Sequence, residues 1–289
     1  MREKAFWAFF KLTRLDYSLF GASGVFLSGL LAGDLHGFQR EYLVAFFVVF
    51  LTALGSFAFN DYYDSEVDKR NRRYDRPLVL GLLSKKVALI TGLASFSLVL
   101  LLSLFLNSLA LFLVLVSLPF FFLYNLGMKK IILFKNILIA YAYVATILFG
   151  SLVSDAIVEP LIVYFAAMGF IVGLAFEIML DIGDVEGDKE LGIETLATRF
   201  GMKTAAQVSV VLYAAIMILD PFPFITMIDP RLYLDNVFLF LIFIPVVSYF
   251  FTSKSLMKNQ SKSSIFQLKK KVVVTMQIGS IAYLIGVLL

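Results

Sequence analysis

Residues 42–68 read YLVAFFVVFLTALGSFAFNDYYDSEVD. From Tyr42 to Phe59 there is no charged side chain, and then Asn60, Asp61, Asp64 and Asp68 follow one another closely. About 20 apolar residues in helical conformation cross the hydrocarbon of a bilayer, so this stretch predicts a membrane span with carboxylates at its end. Residues 160–188, PLIVYFAAMGFIVGLAFEIMLDIGDVEGD, repeat the arrangement: an apolar run broken only by Glu177 leads into Asp181, Asp184 and Asp188.

The rest of the chain agrees with a membrane setting. Of 289 residues 60% are hydrophobic and 16% charged, with a mean hydropathy of +0.89, whereas a water-soluble domain has about 45–50% apolar and about 25% charged residues. Apolar runs bounded by charge predict nine spans, at 16–33, 42–60, 86–106, 109–127, 132–153, 160–180, 204–220, 235–252 and 272–289. The expected fold is therefore all-α and polytopic, a single integral membrane domain over residues 1–289, because no connection is long enough for a soluble domain. The chain has no Cys and a single His, His36, which excludes disulfides, thiolate chemistry and His-cluster metal sites.

All but two of the 25 Lys and Arg residues, Arg40 and Arg231, fall in the N-terminal segment or in alternate connections: 61–86, Lys129 to Lys135, 181–203 and the 254–271 loop. The positive-inside rule makes that side cytoplasmic, with the N-terminus inside and the C-terminus outside, in a multi-pass protein of the cell membrane. The pI of about 9.1 then reflects topology and contact with anionic membrane lipids, and no nucleic-acid partner is expected. The stretch Lys4 to Arg14, with Phe6, Trp7, Phe9 and Phe10, reads as an interfacial helix; with no small-residue cleavage site beside it, a cleavable signal peptide is not expected.

In each acidic cluster the Asp residues stand at i, i+3 and i+7, which on a helix stacks them on one face. Asp61, Asp64 and Asp68 are each 120 positions from Asp181, Asp184 and Asp188. The matched offset predicts two pseudo-equivalent halves that face each other across one cavity on the cytoplasmic side. Like charges so close require a cation, and oxygen ligands without His or Cys select Mg²⁺. Mg²⁺ binds through a few carboxylates together with substrate phosphate oxygens, so the pattern predicts a cradle for a metal-bound diphosphate. Asn60 supplies an oxygen to metal or substrate. Lys69, Arg70, Arg72, Arg73 and Arg76 follow the first cluster, and Lys129 and Lys130 end the fourth span; of these Arg72, Arg73, Arg76, Lys129 and Lys130 are the candidates for neutralising the charge of a leaving diphosphate. Tyr62, Tyr63, Tyr124, Tyr141 and Tyr143 are placed to offer π faces to a carbocation. Glu177, inside a span, is costly unless it faces the cavity.

Other readings explain less. Solvated helix-end salt bridges do not account for the matched spacing and location of the triplets. An EF-hand needs its 12-residue loop, and an intramembrane aspartyl protease needs Asp residues within spans. A transporter of cations or organophosphates would place its carboxylates near the bilayer midplane.

NDYYDSEVD at 60–68 resembles the first Asp-rich signature of the UbiA superfamily of intramembrane prenyltransferases, and DIGDVEGD at 181–188 resembles its second. Asp75-Arg76-Pro77-Leu78, GIETLATRFG at 192–201, and Tyr124 followed by Lys129 and Lys130 fit the same family. The resemblance implies nine helices around a central cavity with helical caps on the cytoplasmic side. It implies an Mg²⁺-dependent enzyme that moves a polyprenyl group from an isoprenyl diphosphate to a hydrophobic acceptor. Asn60, Asp61, Asp64, Asp68, Asp181, Asp184 and Asp188 would take the metal and diphosphate roles, with Asp64, Asp68, Asp184 and Asp188 central to catalysis. Arg72, Arg73 and Lys130 would contact diphosphate. Many members have an Arg followed closely by Asn at the first span; here Arg14 is followed by Leu15, Asp16 and Tyr17, so Arg14 is carried over as an anion-binding candidate without the Asn. The DVEGD form and the Arg-Pro pair look more like members that prenylate archaeal ether-lipid precursors or chlorophyllides than like hydroxybenzoate or haem members. Among these geranylgeranylglyceryl phosphate is the expected acceptor, with an aromatic quinone precursor such as hydroxybenzoate or dihydroxynaphthoate the alternative.

Overall fold

The computed structural model of the protein describes residues 2–70, 73–126, 128 and 131–289, with side chains from Phe6 onward. The described residues form twelve helices and no strand. These are α1 (Arg2–Thr13), α2 (Leu15–Ala32), α3 (Arg40–Arg70), α4 (Lys85–Ser103), α5 (Ser108–Asn125), α6 (Phe134–Asp155), α7 (Pro160–Glu190), α8 (Leu196–Phe200), α9 (Met202–Leu219), α10 (Phe222–Ile225), α11 (Asn236–Lys258) and α12 (Lys262–Leu288). Nine of them, with α9 and α10 taken together, are long and apolar enough to cross a membrane. The protein is a multi-pass membrane protein, and in lipid only such helices satisfy every backbone N–H and C=O within the segment.

Local chemistry sets the helix ends. The Asn107 side chain accepts from Ala110 N–H at 3.0 Å, the Asp235 side chain caps α11 by accepting from Val237 N–H at 2.8 Å, and Thr195 with Thr198 forms a reciprocal capping box on α8, each satisfying a donor that the first helical turn leaves free.

Three predicted boundaries need correction. The span expected at 42–60 is the first part of a helix that continues to Arg70, and the one expected at 160–180 continues to Glu190. Both acidic clusters are therefore helical and not loops. Hydropathy marks where a helix leaves the hydrocarbon, not where its hydrogen bonds stop. The ninth span begins at Lys262 instead of 272, because Ser261 caps the helix by accepting from Ser264 N–H at 3.4 Å. The expected 254–271 loop shrinks to the few residues between Lys258 and Lys262, and its lysines stand on the ends of α11 and α12.

The chain divides into two compact units. The first comprises residues 1–128 and 146–157, the second 129–145 and 158–289. In the first, Val25, Tyr42, Val48, Val99, Ala110 and Phe149 form the main buried cluster. Close approach of α3 and α4 depends on two glycines: a methyl at Gly92 would meet the Phe59 ring at 2.9 Å, and one at Gly55 would meet Phe96 at 2.8 Å. Small residues that let helix backbones approach are how helices associate where lipid removes the hydrophobic driving force. In the second unit α7, α9, α11 and α12 enclose Phe176, Met179, Ile182, Tyr213, Tyr249 and Val272. The face of α7 buried there is the one opposite to Glu177 and Asp184.

Candidate active site

In the first unit the carboxylates lie along the last turns of α3, with Asp61 and Asp68 buried at 1% and 5% exposure and Asn60 and Asp64 partly buried. Three guanidinium groups meet them. Arg76 Nη1 donates to Asp61 Oδ1 at 2.9 Å and its Nε lies 3.8 Å from Asp68 Oδ2. Arg14 Nη2 is 3.5 Å from Asp61 Oδ1, and Arg73 Nη1 is 3.6 Å from Asp68 Oδ1. Asn60 Nδ2 donates to Asp64 Oδ2 at 3.1 Å and, at 3.5 Å, to the Oδ1 of buried Asn125 on α5.

Arg14 reaches Asp61 because the chain breaks between α1 and α2. Arg14 itself sits in the left-handed region at φ 42°, ψ 56°, a conformation that a non-glycine residue holds only where its surroundings enforce it. Its guanidinium lies over the Phe57 ring at 4.4 Å. Burial and the neighbouring Arg76 pull the Arg14 guanidinium below its ordinary pKa, and Asp61 opposes that shift.

In the second unit Asp181 and Asp188 on α7 are buried, at 2% and 7% exposure, and Asp184 is exposed. Here the cation is Lys135, in the first turn of α6: its Nζ is 2.6 Å from Asp181 Oδ1 and 3.6 Å from Asp188 Oδ2. Next to it Asn136, 1% exposed, donates to Asp181 Oδ2 at 2.8 Å. α6 is entered as α2 is, through a non-glycine residue in the left-handed region, Leu133 at φ 61°. The two units thus share a construction in which a strained residue opens a helix whose first cation pairs with the buried Asp of the next long helix.

Within each unit the expected carboxylates stand together on one helix face. Arg14, Arg73 and Arg76 join the first cluster, while Arg72, Lys129 and Lys130 lie outside the described residues. Tyr62 packs against the cluster of Leu12, Ala58, Leu78 and Ala88, and the Lys85 ammonium stands over its ring at 5.0 Å; that π face already holds a cation. Tyr124 and Tyr141 are partly buried. Lys135, Asn136 and Asn125 were not singled out in the sequence. The signal that points to the first two is the repeat itself, since the start of the first span and the start of α6 stand about 120 positions apart, like the Asp triplets.

The donor set suits a hard divalent cation. Asp61 Oδ2 and Asp188 Oδ2 are buried and accept no hydrogen bond among the described residues, the ammonium of Lys135 standing 3.6 Å from Asp188 Oδ2, and a buried carboxylate oxygen that accepts no hydrogen bond is costly. Oxygens of this kind, one in each cluster, together with Asp64 and Asp184 on the same faces, are ligands of the type Mg²⁺ takes.

Comparison with known proteins extends from the motifs to the whole chain. The sequence is 30% identical to the digeranylgeranylglyceryl phosphate synthase of Archaeoglobus fulgidus over 287 residues, covering 98% of this chain and 95% of that protein. It is 36% identical to the synthase of the same name from Thermococcus kodakarensis over 218 residues, 75% of this chain and 77% of the other. Among solved structures, one concerned with digeranylgeranylglyceryl phosphate synthase in membranes superimposes with a TM-score of 0.79 at 26% identity over 98% of both chains. A UbiA homologue from Archaeoglobus fulgidus bound to DMAPP and Mg²⁺ shares the fold, with a TM-score of 0.70 at 18% identity over 95% of this chain and 98% of that one. The sequence pattern of the UbiA prenyltransferase family is matched over residues 21–280, from the first apolar helix into the last, and the chain belongs to that family.

Proposed function

We propose that residues 1–289 work as one Mg²⁺-dependent prenyltransferase domain that moves a geranylgeranyl group from geranylgeranyl diphosphate to the free hydroxyl of geranylgeranylglyceryl phosphate, forming digeranylgeranylglyceryl phosphate. The observation that carries this reading is the pair of Asp triplets, each on one helix face and each already holding fixed cations. The relatives named for this synthase support the acceptor.

Asp61, Asp64 and Asp68 with Asn60, and Asp181, Asp184 and Asp188, are the groups that would hold Mg²⁺ with the donor. Bound Mg²⁺ neutralises the diphosphate and lowers the barrier to its departure. The protein's own cations serve the same end. Arg73, Arg76 and Lys135 stand where negative charge grows on the leaving group, held by ion pairs and so oriented before reaction. Arg14, Arg72, Lys129 and Lys130 belong to the same anion-binding set. The apolar spans hold the prenyl chain out of water, which protects an allylic cation from hydrolysis, and the π faces of Tyr124 and Tyr141 stabilise it. The distribution of Lys and Arg argues for the C-terminus outside and for the N-terminus, the Asp-bearing helix ends and the lysines between the bodies of α11 and α12 on the cytoplasmic side, where those lysines would meet anionic lipid.

The test is an acceptor screen. Purified protein in detergent is given labelled geranylgeranyl diphosphate, Mg²⁺ and, in separate reactions, geranylgeranylglyceryl phosphate, hydroxybenzoate or dihydroxynaphthoate, and product mass is read directly. Digeranylgeranylglyceryl phosphate should form and should vanish with EDTA. A prenylated aromatic as the sole product would replace the acceptor, and release of diphosphate with no prenylated product would contradict transfer.

A further inference from the structure

Glu177 lies in α7 one turn before Asp181, on the face that carries Asp181, Asp184 and Asp188. Its neighbours in sequence, Ala175, Phe176, Ile178 and Met179, are all buried in the core of the second unit, whereas Glu177 keeps partial exposure. Glu177 therefore stands on the opposite face of α7 from the residues that fill that core. Among the described residues no cation lies in salt-bridge range of it and no donor hydrogen-bonds to it. The groups that act on it electrostatically are Lys135 and Tyr143 from α6, Tyr213 from α9, Lys269 from α12, and Asp181 and Asp184 from its own helix. Lys135 is committed to Asp181 and Asp188, and the Tyr213 hydroxyl points to Met179 Sδ at 3.9 Å.

A carboxylate within an apolar span is expensive, and where one persists it marks a function. The internal repeat does not call for it: the residue 120 positions earlier is Phe57, an apolar ring beneath Arg14. The acid is particular to the second half. Its depth fits one task. A diphosphate held at the level of Asp181 to Asp188 would leave its ester carbon on the membrane side, and Glu177, four residues before Asp181, stands about 6 Å further in along the helix.

We infer that Glu177 is the proton acceptor of the transfer. The inference rests on the prenyl-transfer reading with an alcohol acceptor. In that step the bond between the first prenyl carbon and the diphosphate oxygen breaks, both electrons leaving with diphosphate. A lone pair of the acceptor hydroxyl forms the new carbon–oxygen ether bond, and the proton of that hydroxyl passes to a Glu177 carboxylate oxygen, from which water removes it after product leaves. An alcohol has no acidity of its own to spare at neutral pH, so a positioned base at the point of capture contributes to the rate.

The test separates bond cleavage from capture. Full-length Glu177→Gln and Glu177→Asp proteins are compared with wild type in two measurements: transfer of label to geranylgeranylglyceryl phosphate, and exchange of ¹⁸O between the bridging and non-bridging positions of the donor diphosphate, which reports cleavage and return without any proton acceptor. In Glu177→Gln, transfer should fall by ~10²–10³ while oxygen exchange stays within about threefold of wild type, and Glu177→Asp should recover part of the transfer. Transfer within about threefold of wild type in Glu177→Gln overturns the assignment, as does a parallel loss of exchange and transfer, which would place the residue in donor binding or in the fold. Wild-type protein that neither exchanges nor transfers contradicts the proposed function itself, a result distinct from either of these.

Discussion

The two carboxylate clusters have the same spacing on helices of the same length and differ in what neutralises them. Asp61, Asp64 and Asp68 share three guanidinium groups, Arg14, Arg73 and Arg76. Among the described residues, Asp181 and Asp188 are in ion-pair range of one ammonium, that of Lys135, and Glu177, one turn deeper, feels Lys135 and Lys269 only at longer range. Among the described residues the first cluster is met by three guanidinium groups and the second by fewer cations in ion-pair range. Under the proposed function the duplicated geometry would be put to unequal use: the first half would supply fixed cations to a leaving anion, and the second would rely more on a metal ion and carry Glu177 as the proton acceptor.

That asymmetry can be broken most forcefully at Lys135. Its removal leaves Asp181, 2% exposed, with Asn136 as its one partner among the described residues, and stripping one member from a buried pair costs about 3–5 kcal/mol. Lys135→Met should lose stability of that size in unfolding titrations without Mg²⁺, and added Mg²⁺ should restore a good part of it. Arg76→Met should cost less, about 2 kcal/mol, because Asp61 keeps Arg14 and Asp68 keeps Arg73, and Mg²⁺ should rescue it less. An equal loss and equal rescue at the two positions would contradict the unequal neutralisation. Arg73→Met, removing a side chain that is 44% exposed, should change stability by less than about 1 kcal/mol while still slowing transfer.

A third acid supplies a reference outside both clusters. Asp229, in the turn between α10 and α11, would be raised by its burial, but hydrogen bonds from Arg231, including 2.6 Å from Nη2 and 2.9 Å from Nε, hold its carboxyl below the usual range. Because the folded pKa is depressed, the stabilisation is present above the unfolded value and is lost as pH falls through the folded one, so it disappears only below about pH 4. Asp229→Asn should remove that acid-limb dependence in a pH series of unfolding midpoints, at a cost of about 1–2 kcal/mol because Asp229 is only 7% exposed and its carboxylate accepts hydrogen bonds from Arg231, and should leave transfer unchanged.

The spans and the acidic triplets were legible because hydropathy and spacing are local properties. Hydropathy could not show that α3 and α7 continue through the triplets to Arg70 and Glu190, since a helix leaving the hydrocarbon keeps its hydrogen bonds while its side chains become polar. The roles of Lys135, Asn136 and Asn125 were not legible, because each is defined by a partner on another helix. Lys135 reads in sequence as one more cation at a helix start, and only the structure brings it 2.6 Å from Asp181. Tyr62 illustrates the converse, a plausible π face by position whose ring is already under the Lys85 ammonium.

The central claim, that both triplets serve one metal-dependent transfer, is tested most directly by Asp64→Ala and Asp184→Ala, one change in each unit, assayed for transfer from geranylgeranyl diphosphate to geranylgeranylglyceryl phosphate at saturating Mg²⁺. Each should lower the rate by more than ~10³ with the protein still folded by circular dichroism and size exclusion. If either variant kept turnover within about tenfold of wild type, the shared role of the two clusters would be contradicted.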